Sequence, residues 1–444
     1  MKVGSALQLN YSFEVMKKLY FLLFTLMGCV PIQQSSTIQS ENGKTLQLSD
    51  LSYEPQIKTV RLSPLGVDSR SQLLPAVVPI GTWNLLLQFD DLREQRENYY
   101  ARIIHCNQDW TKSTLADLDY MTEYNEFPIN TFEFSLDTHH SYVQYRLRLP
   151  GVKLPGNYVV LVYRNGDKND IILTRRFMVY DQRLTFMREG NLMGPGALAS
   201  SIQQLNFTIN YKKVPLINPL ETVNVTVRQN QRWDNLMENI KPSFVRENIQ
   251  ELEYRFFDVK NIFKGINQFR FFDLRSLNYP GRNVLRVDKT QRPYQVYIQP
   301  DKSRNGEAYS IYDDMNGNFS TDNYDTRNAV AGNYADVHFS LLSAEPINGD
   351  VYLSGAFTNW RLSDEYKMTY DAIKKEYRGT AFLKQGWYDY QYVVKSSTLP
   401  TYYFEGTHFE TENQYEVLVY YRSFQPQADL LIGYIPIIEN PQAR

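Results

Sequence analysis

The stretch Val-Gln-Tyr-Arg-Leu-Arg-Leu at residues 143–149 decides the fold class. Its apolar side chains stand at the odd-numbered positions, and glutamine or arginine fills the even-numbered ones. A period of two places the apolar residues on one face of a β-strand and the polar residues on the other. Proline and glycine then mark a turn at residues 150–156, and the mostly apolar run 158–163 returns as a second strand. These residues predict a half-buried antiparallel pair.

The same alternation recurs along the chain, at 207–211, 223–227 and 388–392. The composition agrees, because 34 Tyr and 24 Phe suit pleated, half-buried surfaces. No segment keeps a helical period for long, and the best candidate for a short helix is 234–250. We therefore predict an all-β protein of tandem immunoglobulin-like β-sandwich domains. The net charge of −2 indicates no nucleic-acid partner.

A chain of 444 residues is too long for one ordinary core and predicts roughly three domains. Changes in composition and clusters of Gly, Pro and Asn set the expected boundaries. The predicted segments are 1–29 (upstream residues plus a signal or lipobox segment), 30–50 (polar tether), 51–180 (N-terminal β-sandwich), 181–300 (middle β domain), 301–332 (connector), 333–424 (C-terminal β-sandwich) and 425–444 (tail).

The N-terminal segment is typical of a secretory signal. Met16-Lys17-Lys18 is positively charged, residues 19–27 are apolar, and Gly28-Cys29 closes the run. Nine or ten apolar residues are too few to span a bilayer, which needs about twenty in a helix. The end of this run also resembles a bacterial lipobox, which makes Cys29 a candidate for lipidation and membrane tethering. The alternative is ordinary cleavage nearby, with Cys29 discarded.

The chain contains two cysteines, Cys29 and Cys106. If Cys29 carries a lipid, Cys106 has no partner for an intramolecular disulfide. A bridge between the two requires a retained signal. We therefore expect the protein to rely on its hydrophobic cores.

Motifs for catalysis are missing from the sequence. His139 and His140 are adjacent, so on a strand they point to opposite faces and cannot share a metal. The neighbours His105 and Cys106 diverge in the same way and form no nucleophile–base pair, even with Asp109 nearby. No phosphate loop, zinc spacing or nucleophile elbow occurs. We predict no catalytic residue, no metal, no cofactor and no small-molecule substrate.

The third predicted sandwich suggests an alternative function. Residues 350–360 and 386–394 are similar to glycogen-binding modules related to the early-set immunoglobulin-like fold. Those modules stack sugars on exposed aromatic rings, so Trp360 and Trp387 are the candidates here. The alternative is therefore a lipid-anchored glycan-binding protein.

Several motifs in one order resemble the plug protein family of the type IX secretion system. They are 105–110 (His-Cys-Asn-Gln-Asp-Trp), 173–179, 228–235, 267–277, 351–360, 411–415, 419–422 and 431–434. The resemblance implies a non-catalytic periplasmic protein at the inner face of the outer membrane. It also implies docking on the outer-membrane translocon β-barrel and closure of its pore when the system is idle.

Aromatic and arginine residues within or beside these motifs are candidate contacts with that partner. They are Trp110, Arg175, Arg176, Trp233 and Arg270. Tryptophan and arginine dominate the energy of many protein interfaces. The alternative is that the tryptophans anchor the core and that the arginines pair with acidic neighbours.

Overall fold

The computed structural model describes residues 43–66, 69–189, 200–256 and 262–441. The predicted signal and lipidation candidate Cys29 lie outside the described residues. Nearly every regular element in the described part is a β-strand, and the strands form several separate sheets. The prediction of an all-β chain built from β-sandwiches is confirmed.

The first sandwich packs two sheets face to face around one core. One sheet has the order β1-β10-β9-β5-β6 with β3 beside β10, and the other has the order β2-β4-β8-β7. Its strands are β1 Leu51–Ser52, β2 Ile57–Pro64, β3 Val77–Pro79, β4 Leu85–Asp91, β5 Tyr99–Cys106, β6 Phe127–Pro128, β7 Thr131–Phe134, β8 Val143–Arg148, β9 Gly156–Arg164 and β10 Ile171–Tyr180. A 3-10 turn (Ser69–Leu73) and the short helix α1 (Asp117–Tyr120) lie in its connections.

Strand β8 shows how the alternating pattern builds this core. Val143 and Tyr145 are fully buried, whereas Arg148 is exposed. Tyr145 lies opposite Phe89 of β4, and their rings stack with centroids 5.2 Å apart. Gln144, predicted on the polar face, is nevertheless buried. A second layer of the protein therefore covers part of that face.

The second sandwich takes strands from two distant parts of the chain. Its sheets have the orders β11-β13-β17-β16 and β15-β14-β28-β29, with a small β12-β18 pair. The strands are β11 Thr185–Glu189, β12 Ile202–Gln203, β13 Asn206–Asn210, β14 Val223–Gln229, β15 Leu236–Ile240, β16 Phe244–Arg246, β17 Glu251–Tyr254, β18 Phe263–Lys264 and, after the third sandwich, β28 Asn413–Arg422 and β29 Asp429–Glu439. The short helix α2 (Pro219–Thr222) precedes β14.

The third sandwich is inserted between β18 and β28. One sheet has the order β20-β21-β23-β26-β25, and in the other β19, β22 and β24 all pair with β27. The strands are β19 Arg270–Asp273, β20 Val284–Asp288, β21 Tyr294–Ile298, β22 Phe319–Thr321, β23 Tyr334–Leu342, β24 Asp350–Ser354, β25 Thr369–Asp371, β26 Glu376–Lys384 and β27 Gly386–Lys395. Its 3-10 turns are Ala329–Ala331, Ala356–Thr358 and Asp364–Tyr366.

Strand pairing differs from the predicted domain boundaries after residue 180. The predicted tail 425–444 contains β29, and the predicted connector 301–332 contains β22. The predicted middle domain 181–300 ends with β19 to β21, which belong to the third sandwich, and 333–424 includes β28, which pairs with β14. The sandwiches are thus not strictly in tandem. Alternation predicts that a segment is a strand but not which strand it pairs with. Domain boundaries drawn from the order of strands in the sequence were therefore wrong after residue 180.

The predicted short helix at 234–250 is also wrong, because this segment forms β15 and β16. Within the described residues, no helix is long and apolar enough to cross a membrane.

Candidate functional site

Two tryptophans, one from the first sandwich and one from the second, meet where these sandwiches adjoin. Trp110 lies in the loop after β5, with a positive φ of 62°, and Trp233 lies in the loop between β14 and β15. Their rings pack edge to face, with centroids 4.7 Å apart. Each side chain is half-buried. This contact ties the first sandwich to the second.

Arg176 of β10 lies over both rings. Its guanidinium is 5.3 Å from the Trp110 centroid and 4.7 Å from that of Trp233. The side chain of Asp50 fixes Arg176, accepting from Nε at 3.1 Å, from Nη2 at 2.9 Å and from the backbone N–H at 2.8 Å. A cation held over an aromatic face gains electrostatic stabilisation that rises as the site is desolvated.

A second arginine covers Trp233 from the second sandwich. Arg228 of β14 lies 4.2 Å from the ring centroid and is almost fully buried. Glu416 stands directly opposite it on β28 and forms a two-point ion pair, with Nε–Oε2 at 2.6 Å and Nη2–Oε1 at 2.9 Å. Tyr434 donates to the same carboxylate at 2.9 Å.

The third sandwich reaches this junction through Trp360. Arg232, in the loop that carries Trp233, lies 4.3 Å from the centroid of the Trp360 ring. Phe269 packs against the same ring with centroids 5.8 Å apart. The backbone of Gly317, with a φ of 82°, passes so close to the ring that a β-carbon there would clash with it.

A cavity of about 310 Å³ opens beside these contacts. We call it the arginine cleft, because Arg61, Arg175, Arg176, Arg228 and Arg361 line it. Its acidic lining residues are Asp50 and Asp234; Asp50 binds Arg176, and Asp234 forms an ion pair with Arg232. Positive charge therefore dominates the wall. All three sandwiches contribute to it.

Four of the five predicted contact residues come together here, and the fifth does not. Trp110, Arg175, Arg176 and Trp233 lie in or beside the cleft. Arg270 instead sits inside the third sandwich, where it pairs with Glu405 at 3.0 Å and Asp301 at 2.8 Å. It is buried and serves the packing of that domain.

The two tryptophans proposed for sugar stacking are half-buried, and other side chains of the protein pack against their rings. Trp387 stacks on Phe271 with centroids 4.6 Å apart and an interplanar angle of 9°, and its indole N–H donates to Asp389 at 3.1 Å. Arg275 lies 5.1 Å from the same ring. Trp360 contacts Arg232 and Phe269 as described above. These contacts lend the glycan hypothesis no support.

Sequence reasoning missed the charged residues that join the first sandwich to the third. Asp90 of β4 accepts from Lys384 Nζ of β26 at 2.8 Å, from Tyr334 Oη at 2.8 Å and from Gln144 Nε2 at 3.1 Å. Lys384 also lies 4.1 Å from the ring centroid of Tyr142. Asp90 stands near the end of an otherwise mostly apolar strand, which is a signal that the sequence offers. The sequence does not show that its partner is Lys384, 294 residues away.

The His105 and Cys106 neighbours do not form a catalytic pair. Both ring nitrogens of His105 are buried without a hydrogen-bond partner, and burial lowers its pKa to about 4. Burial raises the pKa of the Cys106 thiol to about 12, so little nucleophilic thiolate forms at neutral pH. Among the described residues, no three His, Cys, Asp or Glu side chains gather as a set of metal ligands.

The buried His105 predicts acid sensitivity. Its pKa of about 4 in the folded protein lies below the ordinary 6.5, so the unfolded chain binds more protons between these values. The contribution of neutral His105 to the free energy of unfolding is therefore fully present above pH 6.5 and is lost as the pH falls to 4. The loss is about 3 kcal/mol, at about 1.36 kcal/mol per pKa unit. Denaturant titrations at pH 7 and pH 4 measure this loss, and His105→Phe should reduce it by about that amount.

The matched control for this experiment is His139→Phe, because His139 is exposed. That variant should keep the pH dependence of the parent protein. An equal acid loss in the parent protein and in His105→Phe would contradict the assignment.

The structure is that of an all-β protein of several sandwiches, which charged and aromatic contacts join to one another. Residues 57–181, which cover most of the first sandwich, match the family model of the type 9 secretion system plug protein 1st domain. Residues 57–181 are thus similar to the first domain of the type IX secretion plug proteins, and the predicted resemblance to that family is confirmed over this part of the chain. That family is not known as catalytic.

A solved structure extends the likeness beyond the first domain. The crystal structure of a hypothetical protein from Parabacteroides merdae ATCC 43184 superposes with a TM-score of 0.82 at 28% identity. The match covers 89% of this chain and 100% of that one. No curated protein sequence matches the chain.

Proposed function

We propose that this plug-family protein docks on the periplasmic side of the outer-membrane translocon barrel of the type IX secretion system and closes its pore when no substrate is engaged. The observation that carries the proposal is the match of residues 57–181 to the first domain of the plug family. Membership of that family supports an association with secretion-system components near the outer membrane. In this proposal the protein is not an enzyme and acts by occupying space.

The way the sandwiches are joined supports such a role. Asp90 and Lys384 form a buried ion pair between the first and third sandwiches, and Trp110 packs on Trp233 between the first and second. Buried polar contacts that are fully paired fix the relative position of the parts they connect. A protein that closes a pore has to keep its domains together, and these contacts hold the sandwiches to one another.

The surface around Trp110 and Trp233 is our proposed docking face. Both rings keep an exposed part, and guanidinium groups surround them. Aromatic and arginine side chains at the centre of an interface usually carry most of the binding energy. Arg270 is left out, because it is buried within the third sandwich.

Affinity purification of the translocon barrel from cells with an idle secretion system tests the docking. We expect this chain in the purified complex, and we expect the ion current through the isolated barrel in a planar bilayer to fall when the folded chain is added. Heat-unfolded chain is the control and should leave the current unchanged. Absence from the complex together with an unchanged current would overturn the proposal.

The docking face has its own test. Trp110→Ala should lower recovery with the barrel, whereas Tyr279→Ala should not, since Tyr279 is 80% exposed on the third sandwich. Equal recovery of both variants would reject this face without rejecting docking. Circular dichroism of each variant verifies that it is folded.

We also propose a membrane tether through a lipid on Cys29. The lipobox-like sequence at residues 26–29 supports it. Mass spectrometry of the mature N-terminus should find an acylated cysteine as the first residue, and an unmodified peptide that begins after Cys29 would refute the tether.

A further inference from the structure

Arg175 is a buried cation that has no carboxylate partner among the described residues. Its side chain is 7% exposed, yet it lines the arginine cleft. Its Nη1 donates to the backbone carbonyl of Thr174 at 2.9 Å. Asp50 is the acidic group whose charge acts on Arg175, but its carboxylate oxygens accept from Arg176. Burial lowers the pKa of Arg175 to about 10, in spite of Asp50.

Arg61 of β2 is a second arginine of the cleft that lacks a carboxylate partner among the described residues. Its Nη1 donates to the carbonyl of Phe319 at 2.6 Å and its Nη2 to the carbonyl of Gln72, while Nε is buried without a partner. The guanidinium lies 4.5 Å from the centroid of the Phe319 ring. No described carboxylate forms an ion pair with it, and burial lowers its pKa to about 10.

Arg175 is buried and Arg61 is half-buried, both line one cavity, and neither forms an ion pair with a described carboxylate. A buried charge without an ion-pair partner is unfavourable because it loses its hydration, and proteins normally pair such charges. Arg361 adds a third positive charge, which is exposed. The cleft is therefore shaped and charged for a negative group from outside the described chain.

We infer that the arginine cleft is an oxyanion-binding site, in which Arg61 and Arg175 hold a carboxylate or phosphate group. A guanidinium group carries five N–H donors, and charge-assisted bonds from them to a carboxylate or phosphate are strong. Arg61 gives one N–H from each Nη to a backbone carbonyl and Arg175 gives one from Nη1, so both side chains keep further N–H groups for an anion. Phe319 beneath Arg61 and the carbonyl of Thr174 beside Arg175 orient these donors. The site belongs to the folded chain alone, so it stands or falls independently of docking on the barrel.

Thermal unfolding of the full chain with small anions tests the site. Citrate and inorganic phosphate are compared with sodium chloride at equal ionic strength, and the two arms separate a carboxylate site from a phosphate site. Saturating citrate or phosphate should raise the melting temperature by about 1–3 °C over chloride, because a ligand that binds only the folded state stabilises it. No rise with either anion would overturn the inference.

Substitutions at the two arginines locate the effect. Arg175→Met should abolish the anion-induced rise while leaving the anion-free melting temperature unchanged or higher, since it removes an uncompensated buried charge. Arg61→Gln should also abolish the rise, and it serves if the first variant does not fold. The control Arg286→Gln, at an exposed arginine of β20, should keep the full response. A full response in both cleft variants would place the anion elsewhere and refute the site.

Discussion

Replacing Asp90 with alanine is expected to lower the free energy of unfolding by about 3–5 kcal/mol. Asp90 is fully buried, and it accepts from Lys384 Nζ at 2.8 Å. Lys384 is itself only 3% exposed, so the variant leaves an ammonium group buried without its carboxylate. Breaking a buried pair from one side costs far more than the pair contributes over apolar residues of the same volume.

Denaturant titration of the purified chain measures this loss. The double variant Asp90→Leu with Lys384→Met removes both charges, so it should recover most of the lost stability. Glu133→Ala is the control, because it breaks an exposed pair with Arg146 and should change the unfolding free energy little. If Asp90→Ala were as stable as the parent protein, the prediction that this ion pair stabilises the junction of the two sandwiches would be wrong.

Replacing Glu405 with glutamine is expected to cost about 3 kcal/mol at neutral pH. Burial alone raises the pKa of Glu405, but attraction to Arg270 and Arg304 outweighs it and holds the pKa at about 2. Arg270 donates to Oε1 at 3.0 Å, and the backbone N–H of Tyr392 donates to the same oxygen at 2.8 Å. Glutamine keeps the shape and loses the charge.

The pH dependence gives this prediction a second readout. The pKa of Glu405 in the folded protein lies below the ordinary 4.5, so its contribution is fully present above pH 4.5 and is lost as the pH falls to about 2. The parent protein should therefore lose more stability than Glu405→Gln between pH 5 and pH 2, in a window below that of His105. Glu307→Gln, at an exposed pair with Lys302, is the control and should behave like the parent protein. A parallel loss in Glu405→Gln would refute the assignment.

The local structure was largely predictable from the sequence. Alternation at 143–149 predicted a half-buried strand, and β8 confirms it through buried Val143 and Tyr145. The sequence motifs also point to Trp110, Arg176 and Trp233, and these three side chains are in contact.

The identity of strand neighbours was not predictable in the same way. The pattern of residues 413–422 predicts a strand equally well beside β27 or beside β14, and the structure pairs it with β14. Sheet hydrogen bonds run between backbone groups that every residue carries, so they hold little information about the partner. The boundary predicted at residue 424 failed for this reason.

The sequence alone therefore predicts local features: strands, turns and the motifs of a secretion plug. Tertiary structure alone decided which polar residues are buried. Gln144 was expected on a solvated face, and the third sandwich covers it because Lys384 brings its charge to the neighbouring Asp90. Arg175 likewise becomes the wall of a cleft only when three sandwiches meet around it. Burial is a property of the assembled surface, and side chains hundreds of residues apart create it together.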